Sequence, residues 1–468
     1  MAEPIIIFQM QRMGDIILTF PLLTWLRALF TDHPLYVAAE ANFFKELLPL
    51  SPPVTYVPWK TAEKLVGGSY RLVVNLSLRP EAAALAGRLK AAQTLGPVRD
   101  EKSITYMHGD WQLYRAGLTN NNRHNAFHWA DMNALDIIPT AMIKGTVWPK
   151  KQNPSPGAEG LPRIGLFLGA SEESKRPAPE FWAALAQELL RIGCRPLLLG
   201  GKAEQDLGRQ TASLMKHPAP NFCGRFTLPE FAAFSSTLDL LITPDTGPMH
   251  FAAWLGLKVL NLSMGPVNPW ETGPYQPGHI VLQARDSCVG CWQCRRQEIY
   301  CRQAFPARSV AALALNLISE EGRNKTPVPP GSLSIRRSGR DRHGLYHLER
   351  LSGEKPIARE ALTELWREYF GALFGLWETR RVRESREKLA ALNPALSGRL
   401  DAQLGQLALK LVQAFKKGAF PLGEGFWSDK APLLRPLAGY MQMLLQNADY
   451  SQTALTRALT MIERLKDC

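Results

Sequence analysis

Three short stretches of this sequence place reactive side chains where an apolar run ends. In "LDLLITPDTGPMHFAAWLG", Asp245, Thr246, Gly247 and His250 stand between a strand-like run and a helix-like one. A helix that begins there presents free N–H groups and the positive end of its dipole, a ready anion site. Gly247 permits close backbone approach, and Thr246 adds a hydroxyl donor. In "QMQRMGDII", Asp15 follows Gly14 just after the first apolar run. A carboxylate at that place can serve as a general base. In "IGLFLGASEESKRPAPEFW", Ser171, Lys175 and Arg176 follow another apolar run, and a cationic pair there suits a phosphate. Each stretch also has a plainer reading, since Asp and Thr commonly cap helices and the cations can be a solvated surface pair. Together the three point to a phosphorylated ligand held between two domains.

The elements that must position these residues alternate in type. Residues 4–10 read as a strand, "QRMGD" as a turn, and "IILTFPLLTWLRALF" as a helix with Pro21 in an early turn, where proline does least harm. "PLYVAAE" and "YRLVVNLS" read as further strands. A second alternating unit runs from "RIGLFLGA" through "PEFWAALAQELLRIG", "RPLLLGG" and "LDLLITP" to "KVLNLS". Strands alternating with helices give parallel sheets, and in open α/β sheets ligands bind beyond the carboxyl ends of the strands. The polar stretches "KKQNPSPGAEG" (150–160) and 322–343 read as linkers. The expected organisation is two α/β domains, 1–150 and 156–321, followed by an all-helical extension, 344–468, whose apolar residues recur at helical spacing.

The chain has 468 residues, 46% of them hydrophobic, and a formal net charge of +13. That charge attracts nucleic acid, anionic lipid or phosphorylated small molecules. No zinc-finger spacing and no aromatic-rich basic motif occurs, so nucleic acid is not an expected partner. No apolar run reaches the length of a membrane span. "MAEPIIIFQM" lacks the basic start of a signal peptide, so the protein is expected to be cytoplasmic.

The same residues carry a family resemblance. "RMGDIILTFPLL" resembles the opening signature of glycosyltransferase family 9, the ADP-heptose:lipopolysaccharide heptosyltransferases, roughly R-x-G-D-x-(I/L)-x-T-x-P. "GASEESKR" resembles its G-A-S-x-x-x-K-R, and "DTGPMHFAAWLG" its D-(S/T)-G-x-x-H-x-A-x-x-x-G. The order along the chain also fits, over residues 1 to about 320. The resemblance implies a GT-B fold, in which two Rossmann-like domains face a cleft. The N-terminal domain takes the acceptor and the second domain the nucleotide sugar. It implies an inverting sugar transfer that requires no metal cofactor; no Asp-x-Asp stands beside these motifs. By resemblance, Asp15 is the catalytic base and Lys175 contacts the donor phosphates, with Ser171 nearby. Asp245, Thr246, Gly247 and His250 line the donor site, and Glu204 matches an acid close to it. The favoured donor is ADP-heptose, and the acceptor a lipopolysaccharide-type or other lipid-linked or cell-surface glycan. A non-catalytic nucleotide-sugar-binding or scaffolding protein of the same fold is the alternative. The family's usual loop after the last motif is replaced here by "LSMGPVNPWETGPY", which keeps only Gly265, Pro266 and Pro269.

Two features lie outside these motifs. Cys288, Cys291, Cys294 and Cys301 are spaced C-x2-C-x2-C-x6-C. Four thiolates so placed could hold a structural zinc or an iron–sulfur cluster, or they are reduced thiols in a loop. The helical extension carries more Lys and Arg than Asp and Glu. That suits contact with the acceptor or with anionic lipid at the inner face of the cytoplasmic membrane, or simple packing on the core.

Overall fold

Ile5–Phe8 is apolar at every position, the pattern of a strand covered on both faces. In the computed structural model it lies inside a six-stranded sheet. The structure describes residues 2–119, 121–148, 160–285, 288, 291, 294, 296–318, 331–351, 353 and 355–468. Across this sheet the order is Thr55–Pro58, Leu35–Ala39, Ile5–Phe8, Leu72–Asn75, Thr94–Arg99 and Thr105–His108. The first five strands run parallel and the last is antiparallel. Ile5 sits opposite both Leu35 and Leu72, so strand order reverses beside the first strand. A crevice opens at the carboxyl end of such a reversal, and here that end leads directly into Asp15.

The second sheet has seven strands, ordered Arg195–Leu199, Arg163–Phe167, Leu240–Pro244, Val259–Ser263, Ile280–Ala284, Leu333–Arg340 and Tyr346–Arg350. Its reversal lies between Arg163–Phe167 and Leu240–Pro244. Those two strands lead into the Ser171–Lys175 segment and into Asp245–His250. Buried side chains stitch the halves together. The Asp131 carboxylate accepts from the Tyr275 hydroxyl at 2.5 Å and from the Tyr346 N–H at 2.8 Å. Trp254 donates to the Leu50 carbonyl at 3.2 Å and packs edge-on against Phe20. Two α/β halves that face a crevice, followed by a helical C-terminal region, make the arrangement expected of a GT-B fold.

Three expectations change. The first helix starts at Met13, which puts Pro21 at its ninth position rather than in an early turn. The helix is buried along most of its length, so packing outweighs the single N–H that proline removes. The first expected linker lies outside the described residues except for Gly160. Within the second, Leu333–Arg340 is a strand, paired antiparallel with Ile280–Ala284 and continuing as a hairpin into Tyr346–Arg350. Its polar composition hid it. Leu333 and Ile335 enter the second core, while buried Ser338 donates to the Gln276 carbonyl at 2.6 Å and Arg336 pairs with Glu360. The helical region therefore begins at Ala358, not at 344.

That region is not a separate appendage. Helices Ala358–Leu373 and Arg435–Gln446 share one hydrophobic core with the first half. The Phe370 ring lies 4.4 Å from that of Tyr114 and 5.7 Å from that of Tyr440.

Candidate active site

Helices Met13–Leu29 and Gly247–Trp254 bring their N-termini together across the crevice. A methyl group on Gly14 would sit 3.4 Å from the Gly247 Cα and 3.4 Å from His250 Cδ2, so two glycines make this approach possible. Asp15 is the third residue of its helix, not the residue before it, and its Oδ2 accepts the Arg12 N–H at 3.0 Å. The capping role thus exists, as a first-turn carboxylate reaching back through Oδ2. Burial raises the Asp15 carboxyl above the usual aspartate range; the Arg115 guanidinium, the Arg12 amide and Lys175 pull the other way.

Lys175 ends the short turn Glu173–Lys175 and lies 3.6 Å from Glu172. Its charge reaches Asp15, Asp245 and His250 alike. Gly265, with φ +74, sits so close beneath this turn that a methyl group there would overlap the Ser174 carbonyl. Burial also raises the Asp245 carboxyl, opposed by the Thr272 hydroxyl, which donates at 2.5 Å, and by Lys175. Burial, then Lys175, lowers His250 to about 3, so its imidazole is neutral at ordinary pH. Its Nε2 is 4.0 Å from Asp245 Oδ1, and its Nδ1 is buried without a partner among the described residues. Thr246 stands at the N-cap of Gly247–Trp254, yet its side chain makes no capping bond. Pro248 has no N–H and Met249 bonds back to the Thr246 carbonyl, so the Gly247 amide has no intrahelical partner. This end of the helix is arranged to take an anion.

Ser171 is exposed and follows strand Arg163–Phe167. Glu204 follows strand Arg195–Leu199, accepts the Gly201 N–H at 2.8 Å and fills the space over Gly169.

Two charged residues at the site carry no sequence motif. Arg115, on helix Asp110–Gly117, faces Asp15 and donates to Asn133 Oδ1 at 3.1 Å. Glu271 accepts from Asn125 at 2.9 Å and from Asn122. Burial first lifts its carboxyl to about 8, with Asp245 adding to the rise. The sign of the consequence is fixed. The folded state keeps a proton that the unfolded chain releases near 4.5, so this contribution to stability is complete below that pH and is lost as pH climbs to about 8. Glu271→Gln imitates the protonated acid. Its melting temperature relative to wild type is expected to rise between pH 4.5 and about 8 and to level off on either side. A difference that does not vary with pH would contradict the assignment.

The four clustered cysteines border residues that are not described. Cys301 is buried and accepts the Gly265 N–H at 3.3 Å; Cys288 and Cys291 are half-buried and Cys294 is exposed. Burial and the three neighbouring thiols raise that of Cys291. Among the described residues no group of three or more His, Cys, Asp or Glu is arranged to hold a metal ion.

The family model of glycosyltransferase family 9 (heptosyltransferase) matches residues 59–299, more than half of the chain. The Asp15 stretch precedes the matched segment. A lipooligosaccharide heptosyltransferase 2 of Campylobacter jejuni is 30% identical over 176 residues, covering 36% of this chain and 55% of the relative. A lipopolysaccharide core heptosyltransferase, OpsX, of Haemophilus influenzae is 32% identical over 74 residues, covering 16% of this chain and 21% of the relative. The chain spans about half the length of the first of these. Among solved structures, a family 9 glycosyltransferase from Veillonella parvula superposes with a TM-score of 0.52 at 21% identity, covering 68% of this chain and 97% of that one. The ADP-heptose lipopolysaccharide heptosyltransferase II of E. coli superposes with a TM-score of 0.50 at 18% identity, covering 68% and 99%. At these identities the solved structures speak for the fold.

Proposed function

Because this chain belongs to glycosyltransferase family 9, we propose that it transfers a sugar, with inversion, from a nucleotide diphosphate donor to a hydroxyl of a lipopolysaccharide-type or other cell-surface glycan. The names of the relatives support a heptose carried on ADP. The observation that carries the reading is the convergence of Asp15, Lys175 and the Gly247–Trp254 N-terminus on one crevice.

In this scheme the acceptor oxygen attacks the anomeric carbon while Asp15 takes its proton, a contribution of about 10²- to 10⁴-fold. The bond from that carbon to the diphosphate oxygen breaks, and the diphosphate leaves with the electron pair. Lys175, the Thr246 hydroxyl and the Gly247 N–H meet the charge that develops there. Neutral His250 can hydrogen-bond in the same pocket without adding charge. With these groups supplying the stabilisation, the transfer needs no divalent ion. Activity is expected to persist in EDTA; loss in EDTA with recovery on adding magnesium or manganese would contradict this.

A lipid-linked acceptor would place the reaction at the inner face of the cytoplasmic membrane, where the net charge of +13 favours anionic headgroups. Among the described residues no helix is long and apolar enough to cross a membrane.

The test is a panel of ADP-, UDP-, GDP- and dTDP-sugars. A ligand at a hundredfold excess over its Kd stabilises the fold by about 2.7 kcal/mol. ADP-heptose should raise the melting temperature most and be turned over when an acceptor is present. Binding without turnover would favour a non-catalytic protein instead.

A further inference from the structure

A small cavity of about 10 Å³ is bordered by helices Met13–Leu29 and Gly247–Trp254 and by Tyr275 and Gln276. That is room for about one water molecule. Ile17, Leu18 and Pro21 give it an apolar wall. Two of its polar neighbours are already committed: the Tyr275 hydroxyl donates to Asp131, and the Trp254 ring N–H donates to the Leu50 carbonyl. The other two are not. His250 Nδ1 and Gln276 Oε1 are buried without a partner, in side chains of residues more than nine-tenths buried. Gln276 follows the loop that replaces the family's usual one, and its backbone is held in place, since its carbonyl accepts from Ser338 at 2.6 Å.

A neutral imidazole carries one N–H and one lone pair, and the partner of one ring nitrogen decides which nitrogen holds the proton. His250 Nε2 lies 4.0 Å from Asp245 Oδ1, and a carboxylate favours the N–H on that side. Nδ1 is then an acceptor, and so is Gln276 Oε1. Leaving two acceptors unpaired away from water is costly. Two acceptors on one small cavity call for a single molecule with two hydrogens to donate. We propose that a buried water bridges His250 Nδ1 and Gln276 Oε1, which makes Gln276 a positioning residue that fixes His250 as its Nε2–H tautomer. That tautomer turns a donor, not a lone pair, toward a diphosphate oxygen. The part in donor binding rests on the function proposed above; the water and the tautomer do not.

Nitrogen NMR of the full chain, isotope-labelled at its histidines, reads the tautomer directly, with His250 assigned by its absence from the spectrum of His250→Gln. Without ligand, Nε2 is expected to carry the proton, and a high-resolution crystal structure to show one water within hydrogen-bond reach of both side chains. Gln276→Met keeps the length of the side chain and removes the acceptor. It should turn the single tautomer into a mixture and weaken ADP, titrated by calorimetry, by about two- to tenfold, the contribution of one ordinary hydrogen bond. In the His250→Gln background the same substitution should leave ADP affinity unchanged, because Gln276 acts through the imidazole. A proton on Nδ1 in the wild type, or no water between the two side chains, would overturn the bridge. An unchanged tautomer in Gln276→Met, or an equal loss of ADP affinity in both backgrounds, would overturn the positioning role. Failure of the wild type to bind ADP would count against the proposed function alone, since the water and the tautomer are read without ligand.

Discussion

Asp15→Asn is expected to lower turnover by about 10²- to 10⁴-fold while leaving donor affinity and melting temperature close to wild type. The separation follows from what each oxygen does. Oδ2 accepts the Arg12 N–H in the first turn, and an asparagine carbonyl oxygen can accept the same bond. An amide cannot take a proton from the acceptor hydroxyl. The pH profile gives a second check. Burial raises the Asp15 carboxyl, and the base must be ionised to act, so the acid limb of kcat/KM should lie above the pH at which an exposed aspartate titrates. Arg115 opposes that rise. Arg115→Gln should therefore move the limb to still higher pH. Near-normal turnover in Asp15→Asn would remove Asp15 as the base, and a large fall in its melting temperature would assign it to the helix end.

Phe370→Ala is expected to destabilise the whole protein by about 3–5 kcal/mol, the range for removing a buried aromatic ring. Phe370 is fully buried and packs on Tyr114, Trp366, Phe374 and Tyr440. Tyr114 precedes Arg115, so the ring also supports the helix that faces Asp15. One core spans the helical region and the first half, so unfolding in urea should remain a single transition that moves as a unit. Two transitions, with only one displaced, would show that the helical region folds apart from the first half.

What could be read in the sequence depended on whether a residue's role was local. Ile5–Phe8, Arg163–Phe167 and Leu240–Pro244 are apolar runs, and the residues that follow each run fall at the carboxyl ends of strands beside a reversal in strand order. That is why the sequence alone points Asp15, Lys175 and the Asp245–His250 stretch toward one crevice. Leu333–Arg340 escaped because its three arginines and two serines read as a linker, although the fold buries Arg336 against Glu360 and Ser338 against the Gln276 carbonyl. Arg115 and Glu271 escaped for a related reason. Their environment is made by segments far apart in the chain, Asn122 and Asn125 for Glu271, and the first-strand turn for Arg115.

In the proposed reaction Lys175 and the open end of helix Gly247–Trp254 hold the donor diphosphate. The most direct measurement is calorimetric titration of ADP, in EDTA, into the wild type and Lys175→Ala. The wild type is expected to bind ADP without added metal, and Lys175→Ala to bind it at least about tenfold more weakly, since hydrogen bonds to charged groups contribute about 1.5–3 kcal/mol. Equal affinity in the two proteins, or ADP binding that appears only with a divalent ion, would contradict the account.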